Sequence, residues 1–105
     1  MKNLDISDKD FADVKTILRQ FLKKSGTRVY AFGSRVHGMA RRYSDLDVAI
    51  DFGGSVLPID ILFAMQEAFN ESNIEMRVDI SDINKVSENF QRVIKPDLME
   101  INYNE

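Results

Sequence analysis

Phe11, Val14, Ile17, Leu18, Phe21 and Leu22 recur three and four residues apart, the spacing that gathers apolar side chains on one face of a helix. Ser7 supplies a start signal, with Asp10 three residues on as a short capping-box partner. Ser25-Gly26 supplies the stop. Residues 28–32 are apolar on both faces around Val29, Tyr30, Ala31 and Phe32, which predicts a short strand ending at Gly33. Residues 34–40 predict a short helix that begins at the glycine turn. Residues 46–52 read as a second strand. Leu46, Val48, Ile50 and Phe52 point toward a core, while Asp45, Asp47, Ala49 and Asp51 share the other face.

Gly53-Gly54-Ser55 is a loop, and Pro58 fits the first turn of a second long helix. Ile59, Leu62, Phe63, Ala68 and Phe69 supply most of its inward positions, and residues 70–73 end it. Residues 75–80 predict a third strand, with Met76, Val78 and Ile80 on one face and Arg77 and Asp79 on the other. A last helix is expected over residues 82–95, with Ile83, Val86, Phe90, Val93 and Ile94 inward and Pro96 as its end. Residues 98–103 add a short edge strand. The order predicts an α+β domain, a small mixed sheet with helices packed on it. No repeat, linker or low-complexity segment interrupts it.

At 105 residues the chain is expected to form one domain with one core and no second module. No apolar run is long enough to span a membrane, and no signal-peptide pattern opens the sequence. The absence of cysteine excludes a disulfide framework and a thiolate zinc site, and a cytoplasmic location is expected. A single histidine argues against a histidine-rich metal site. The net charge of −3 conceals an asymmetry. Residues 14–44 hold no acid, but carry Lys15, Arg19, Lys23, Lys24, Arg28, Arg35, Arg41 and Arg42. From Asp45 onward acids dominate, and only Arg77, Lys85, Arg92 and Lys95 oppose them. The basic half could attract phosphates or an acidic partner, although Lys15 to Lys24 reads equally well as the wet face of one helix.

The chemistry concentrates in Gly33-Ser34-Arg35-Val36-His37-Gly38, followed by Ser44-Asp45-Leu46-Asp47. Gly33 permits a tight turn and a close approach of phosphate to backbone. Ser34 offers a hydroxyl and an amide at a helix start, which suits an anion. Arg35, Arg41 or Arg42 could pair with phosphate charge. Ser44 could cap the turn that orients Asp45. Two carboxylates one residue apart on a strand stand about 7 Å apart and face the same way. They can both reach a metal pair spaced at roughly 4 Å. Magnesium takes hard oxygen ligands, usually one or two carboxylates with phosphate oxygens. If the strand carrying Asp79 lies beside residues 46–52, a third carboxylate joins them and can supply a base. Each piece alone is commonplace. His37 reads as a surface histidine, and Asp51 and Asp60 as surface acids. The combination points to a site for a metal-bound nucleoside triphosphate.

That combination resembles the polymerase-beta-type nucleotidyltransferases, and within them the minimal nucleotidyltransferase (MNT) domains. The matching residues are Gly33-Ser34, Gly38, Ser44-Asp45-Leu46-Asp47 and Asp79 in Val78-Asp79-Ile80, and the likeness spans nearly the whole chain. Arg35 matches a frequent Gly-Ser-Arg variant. The resemblance implies that Gly33 and Ser34 hold the triphosphate, that Asp45 and Asp47 bind Mg²⁺ (two ions), and that Asp79 completes the metal site or acts as base. It implies transfer of a nucleoside monophosphate, most often AMP from ATP, to an acceptor hydroxyl, with attack at the α-phosphorus and release of pyrophosphate. Minimal members are often paired with a small helical HEPN protein in toxin–antitoxin arrangements. There the nucleotidyltransferase is the antitoxin and can modify a tyrosine of its partner. Without a substrate domain, recognition would come from that partner or from a second copy, as a homo-oligomer. A second reading is a binding module that neutralises a helical partner by contact, with no catalysis. A nucleic-acid modifying enzyme ranks last, because only Tyr30, Phe32 and Tyr43 offer stacking surfaces near the basic block.

Overall fold

The structure, a computed structural model, describes residues 4–38, 40–41 and 44–105, with only the backbone of His37. The expectations for Arg42, Tyr43 and the His37 side chain lie outside the described residues. The chain runs α1 (Asp8–Phe21), β1 (Thr27–Phe32), α2 (Ser34–His37), β2 (Leu46–Phe52), α3 (Ile59–Asn70), β3 (Val78–Asp82), α4 (Glu88–Ile94), a 3₁₀ turn (Lys95–Asp97) and β4 (Met99–Glu100). The four strands form one mixed sheet in the order β3-β2-β1-β4. β1 pairs antiparallel with β2 and β4, and β2 pairs parallel with β3. A parallel neighbour requires a crossover, and α3 provides it. Among the described residues no helix is long and apolar enough to cross a membrane.

Val29, Ala31, Leu46, Val48, Ile50 and Val78 are buried on one face of the sheet, in a single core with Val14, Leu18, Met65 and Phe69 from α1 and α3. Each large apolar side chain buried there contributes roughly 1.5–3 kcal/mol. That burial sets the register of β2. A slip of one residue would exchange Leu46, Val48 and Ile50 for Asp47 and Asp51.

The helix starts follow local chemistry. The Ser7 hydroxyl accepts from the Asp10 N–H at 3.1 Å. The Asp10 carboxylate does not close the expected capping box. It is buried and accepts from the Glu75 N–H at 3.3 Å, tying α1 to the loop before β3. α2 ends at His37 rather than at residue 40, because Gly38 takes a left-handed φ of +71° and its N–H returns to the Ser34 carbonyl.

Three other expectations are corrected. β3 begins at Val78, not at residue 75, because its ladder begins where β2 does, with Leu46 opposite Val78. Asp82 is not the start of the last helix. It ends β3, is buried, and accepts from the Leu57 N–H at 2.7 Å and the Asn84 N–H at 3.0 Å. Ser87 starts α4, its hydroxyl accepting from the Phe90 N–H at 3.1 Å. Finally, Ile59 and Phe63 on α3 and Val93 on α4 are exposed. The buried side of α3 centres on Met65 and Phe69, and at 100° per residue Phe63 lies roughly 160° around the helix from Met65.

Replacing Asp82 by alanine leaves two backbone donors, at Leu57 and Asn84, without their acceptor. The expected cost is about 2 kcal/mol of stability, read as a lower midpoint in urea unfolding. A midpoint within error of wild type would mean that this carboxylate does not hold the loop before α3.

Candidate active site

The site is assembled at one end of the sheet. β1 delivers the chain into Gly33, whose φ of +85° and ψ of −158° lie in a region open essentially to glycine alone. Phe32 stands opposite Asp47 in the β1–β2 ladder, so the turn at Gly33 passes directly by that carboxylate. A Cβ at position 33 would overlap Asp47 Oδ2 and lie 3.4 Å from Asp47 Cγ. The missing side chain is therefore the space that the Asp47 carboxylate occupies.

Asp47 stands opposite Asp79 in the parallel β2–β3 ladder. Adjacent strands lie about 4.8 Å apart, so the two side chains emerge next to each other on one face. Asp45 precedes Asp47 by two residues, just ahead of β2, and its charge reaches Asp47. Asp45 is exposed, whereas Asp47 and Asp79 are half-buried. Partial burial holds the Asp47 carboxyl above the usual carboxylate range, and the charges of Asp79 and Asp45 push it further in that direction. Among the described residues no lysine or arginine forms an ion pair with any of the three.

These are hard oxygen donors beside one another, with a carboxylate whose charge is disfavoured by its surroundings. The set fits a divalent cation by its chemistry. The backbone register gathers the three acids, but the side chains as they stand do not close into a metal cage. Among the described residues no group of three or more acidic or imidazole side chains is placed to hold an ion.

Arg35 differs from its expected place at the phosphate. It is buried, and its guanidinium donates from Nε to the Ser44 carbonyl at 2.9 Å, from one terminal nitrogen to the Asp5 carbonyl at 2.8 Å, and from the other to the Arg41 carbonyl at 3.2 Å. A planar fork of donors suits the carbonyls of an irregular loop as well as it suits phosphate. Ser44 works on the same loop. Its hydroxyl accepts from the Arg41 N–H at 2.9 Å, and its own N–H donates to the Arg41 carbonyl at 3.0 Å. Arg35 and Ser44 thus shape the segment that delivers Asp45. Ser34 opens α2 and is half-buried next to Gly33.

The rest of the carboxylate face is divided. Ala49 is fully buried, and Tyr30, Asp51, Ile83, Gln91, Lys95 and Leu98 line a cavity of about 400 Å³ farther along it. Phe90 of α4 packs edge-on to Phe32 with ring centroids 6.0 Å apart. Asp51 accepts from the Gly54 N–H at 2.8 Å and the Asn84 amide at 3.0 Å, which fixes a loop at the far end of β2. Asp60 is exposed on α3.

Residues 7–99 match the family described as Polymerase beta, Nucleotidyltransferase. The chain belongs to this family, and is a nucleotidyltransferase. It is 46% identical over 94 residues to "Probable protein adenylyltransferase MntA" of Haemophilus influenzae, a match that covers 88% of this chain and 78% of the relative. A solved structure titled "Crystal structure of the toxin-antitoxin with AMP-PNP" shares the fold, with a TM-score of 0.67 and 22% identity. It covers 87% of this chain and 70% of that one.

Two outcomes are expected at these residues. Gly33→Ala strains the backbone by about 1–3 kcal/mol and displaces the Asp47 carboxylate. Nucleotide turnover should therefore fall further than the lost stability accounts for, which unfolding and activity assays on one preparation compare. Asp47→Asn should stabilise the metal-free protein at neutral pH. The folded state favours the neutral carboxyl, so wild-type stability falls as pH rises from the ordinary carboxylate range through the raised value. The melting-temperature gap between variant and wild type should open over that interval and close below the ordinary carboxylate range. A wild type that melts higher than the variant at pH 7 would contradict the crowding of these carboxylates.

Proposed function

We propose that the chain transfers AMP from ATP to a hydroxyl group of a protein partner, as the antitoxin of a toxin–antitoxin pair. The observation that carries this reading is the register of Asp47 against Asp79 beside a Gly33 turn with no side chain. The relative named "Probable protein adenylyltransferase MntA", at 46% identity, supports the choice of AMP and of a protein acceptor. The resemblance to minimal nucleotidyltransferases supports a helical partner of the HEPN kind.

In this reading Gly33 and Ser34 receive the triphosphate at the turn, with the backbone close enough to approach phosphate oxygens. Asp45, Asp47 and Asp79 would hold Mg²⁺, which, when bound, offsets their repulsion and neutralises charge on the triphosphate. The acceptor oxygen forms a bond to the α-phosphorus while the bond from that phosphorus to pyrophosphate breaks, and Asp79 takes the hydroxyl proton. Catalysis of this kind consists mainly of positioning and charge stabilisation. Arg35 and Ser44 contribute by setting the loop before Asp45.

Neutralisation by contact is the second reading. Its specific support is the exposed apolar group Val56, Ile59 and Phe63 before and along α3, a surface that a partner protein could cover.

The deciding experiment is calorimetric titration of ATP with and without Mg²⁺, on wild type, Asp45→Asn and Ser34→Ala. Magnesium-dependent binding is expected in wild type. Asp45→Asn should lose it and should lower transfer of labelled AMP to co-purifying proteins by about a hundredfold or more, with Ser34→Ala losing about tenfold. If Asp45→Asn still protects cells from the toxin while transfer is gone, protection acts by contact.

A further inference from the structure

We propose that Gln66 is a positioning residue for Asp79, acting through the backbone on either side of it. The inference rests on the reading of Asp79 as a member of the metal site. β3 is an edge strand, hydrogen-bonded to β2 on one side only. Backbone groups on the outer side of such a strand need partners from elsewhere. Gln66 of α3 provides them. Its Nε2 donates to the Val78 carbonyl at 2.7 Å, and its Oε1 accepts from the Ile80 N–H at 3.2 Å. Those two groups flank Asp79.

A primary amide presents a donor and an acceptor side by side, as a neighbouring strand would. It therefore continues the sheet for one residue, at the position of the third carboxylate. The orientation of the amide is determined by its partners, since Val78 offers a carbonyl and Ile80 an N–H. Nε2 also donates to Asn70 Oδ1 at 3.1 Å, one turn farther along α3, which steadies the side chain from behind. Glutamate would set a second acceptor against the Val78 carbonyl. Leucine would make neither bond, and asparagine is one methylene shorter. The N–H and C=O of Asp79 lie on the β2 side of the strand, and its side chain leaves on the face of Asp47. Lateral movement of β3 would change the spacing of the two carboxylates, and Gln66 opposes that movement from the free side.

The test uses the full chain in wild-type form and as Gln66→Leu, Asp79→Asn and Phe69→Leu. Phe69 is a buried residue of the same helix and serves as a packing control. Mn²⁺ binding in the presence of ATP, read by electron paramagnetic resonance without an acceptor, is measured beside kcat, KM and the melting temperature. Gln66→Leu should weaken Mn²⁺ binding by about tenfold and lower kcat to a similar degree, the range found for groups that orient metal ligands. With Mn²⁺ saturating, KM for ATP should move less than about twofold, because the triphosphate contacts at the Gly33 turn are untouched. Phe69→Leu should melt lower with Mn²⁺ affinity unchanged. Gln66→Glu, which keeps the acceptor for Ile80, replaces Gln66→Leu if the latter does not fold, with the same pattern expected. Wild-type Mn²⁺ affinity and kcat in the Gln66 variant, with both lost in Asp79→Asn, would overturn the role of Gln66 alone. Equal weakening by Phe69→Leu would also overturn it, showing a general effect of α3 packing. Asp79→Asn that binds Mn²⁺ and turns over like wild type would overturn the reading of the site itself.

Discussion

Asp47 is confined between a turn that has no side chain and a second carboxylate on the next strand. No part of that arrangement favours an ionised aspartate. Burial disfavours its charge, Asp79 and Asp45 disfavour it further, and Gly33 leaves just enough room for the carboxylate itself. The sheet tolerates this because the opposite face of β2 is bound into the core through Leu46, Val48 and Ile50, all fully buried. Those residues together contribute several kcal/mol, more than the repulsion of half-buried acids at a wet sheet end can remove. The strain is located where a cation with its triphosphate could relieve it.

The topology decides which acids meet. A hairpin alone would place Asp47 beside Phe32 and nothing else. The crossover through α3 brings β3 alongside β2 in parallel, and the register then sets Asp79 against Asp47. α3 consequently has two tasks. Met65 and Phe69 bind it to the core, while Gln66, on its flank, reaches the outer edge of β3. The described residues before β2 are held from inside. Arg35 spans the carbonyls of Asp5, Arg41 and Ser44, so the entry to Asp45 depends on a buried cation.

The architecture and the grouping of the carboxylates were legible in the sequence because both depend on short periods. Alternation over residues 46–52 separates Asp47 from the core residues, and alternation of Met76, Val78 and Ile80 with Arg77 and Asp79 marks a third strand. The mixed sheet followed from the order of elements. Long-range hydrogen bonding was not legible. Nothing local in the sequence foretells that the Arg35 guanidinium donates to three backbone carbonyls. Asp82 has the chemistry of a helix cap, yet it caps a loop far away in sequence at Leu57. Ile59 and Phe63 fit a helical apolar stripe, but the phase of α3 is set by which of several apolar residues reaches the sheet, and Met65 and Phe69 reach it.

The metal reading turns on a difference between register and closure. Register is a property of the backbone, fixed by the core, and it sets Asp47 against Asp79 with Asp45 just ahead of the strand. Closure is a property of side-chain rotamers, and among the described residues the acids do not form a ready cage. A contact-only module would gain stability by exchanging Asp47 for asparagine, and Gly33 in a glycine-only conformation against that carboxylate would serve no purpose in it. The turn and the acids make physical sense together, and neither does alone.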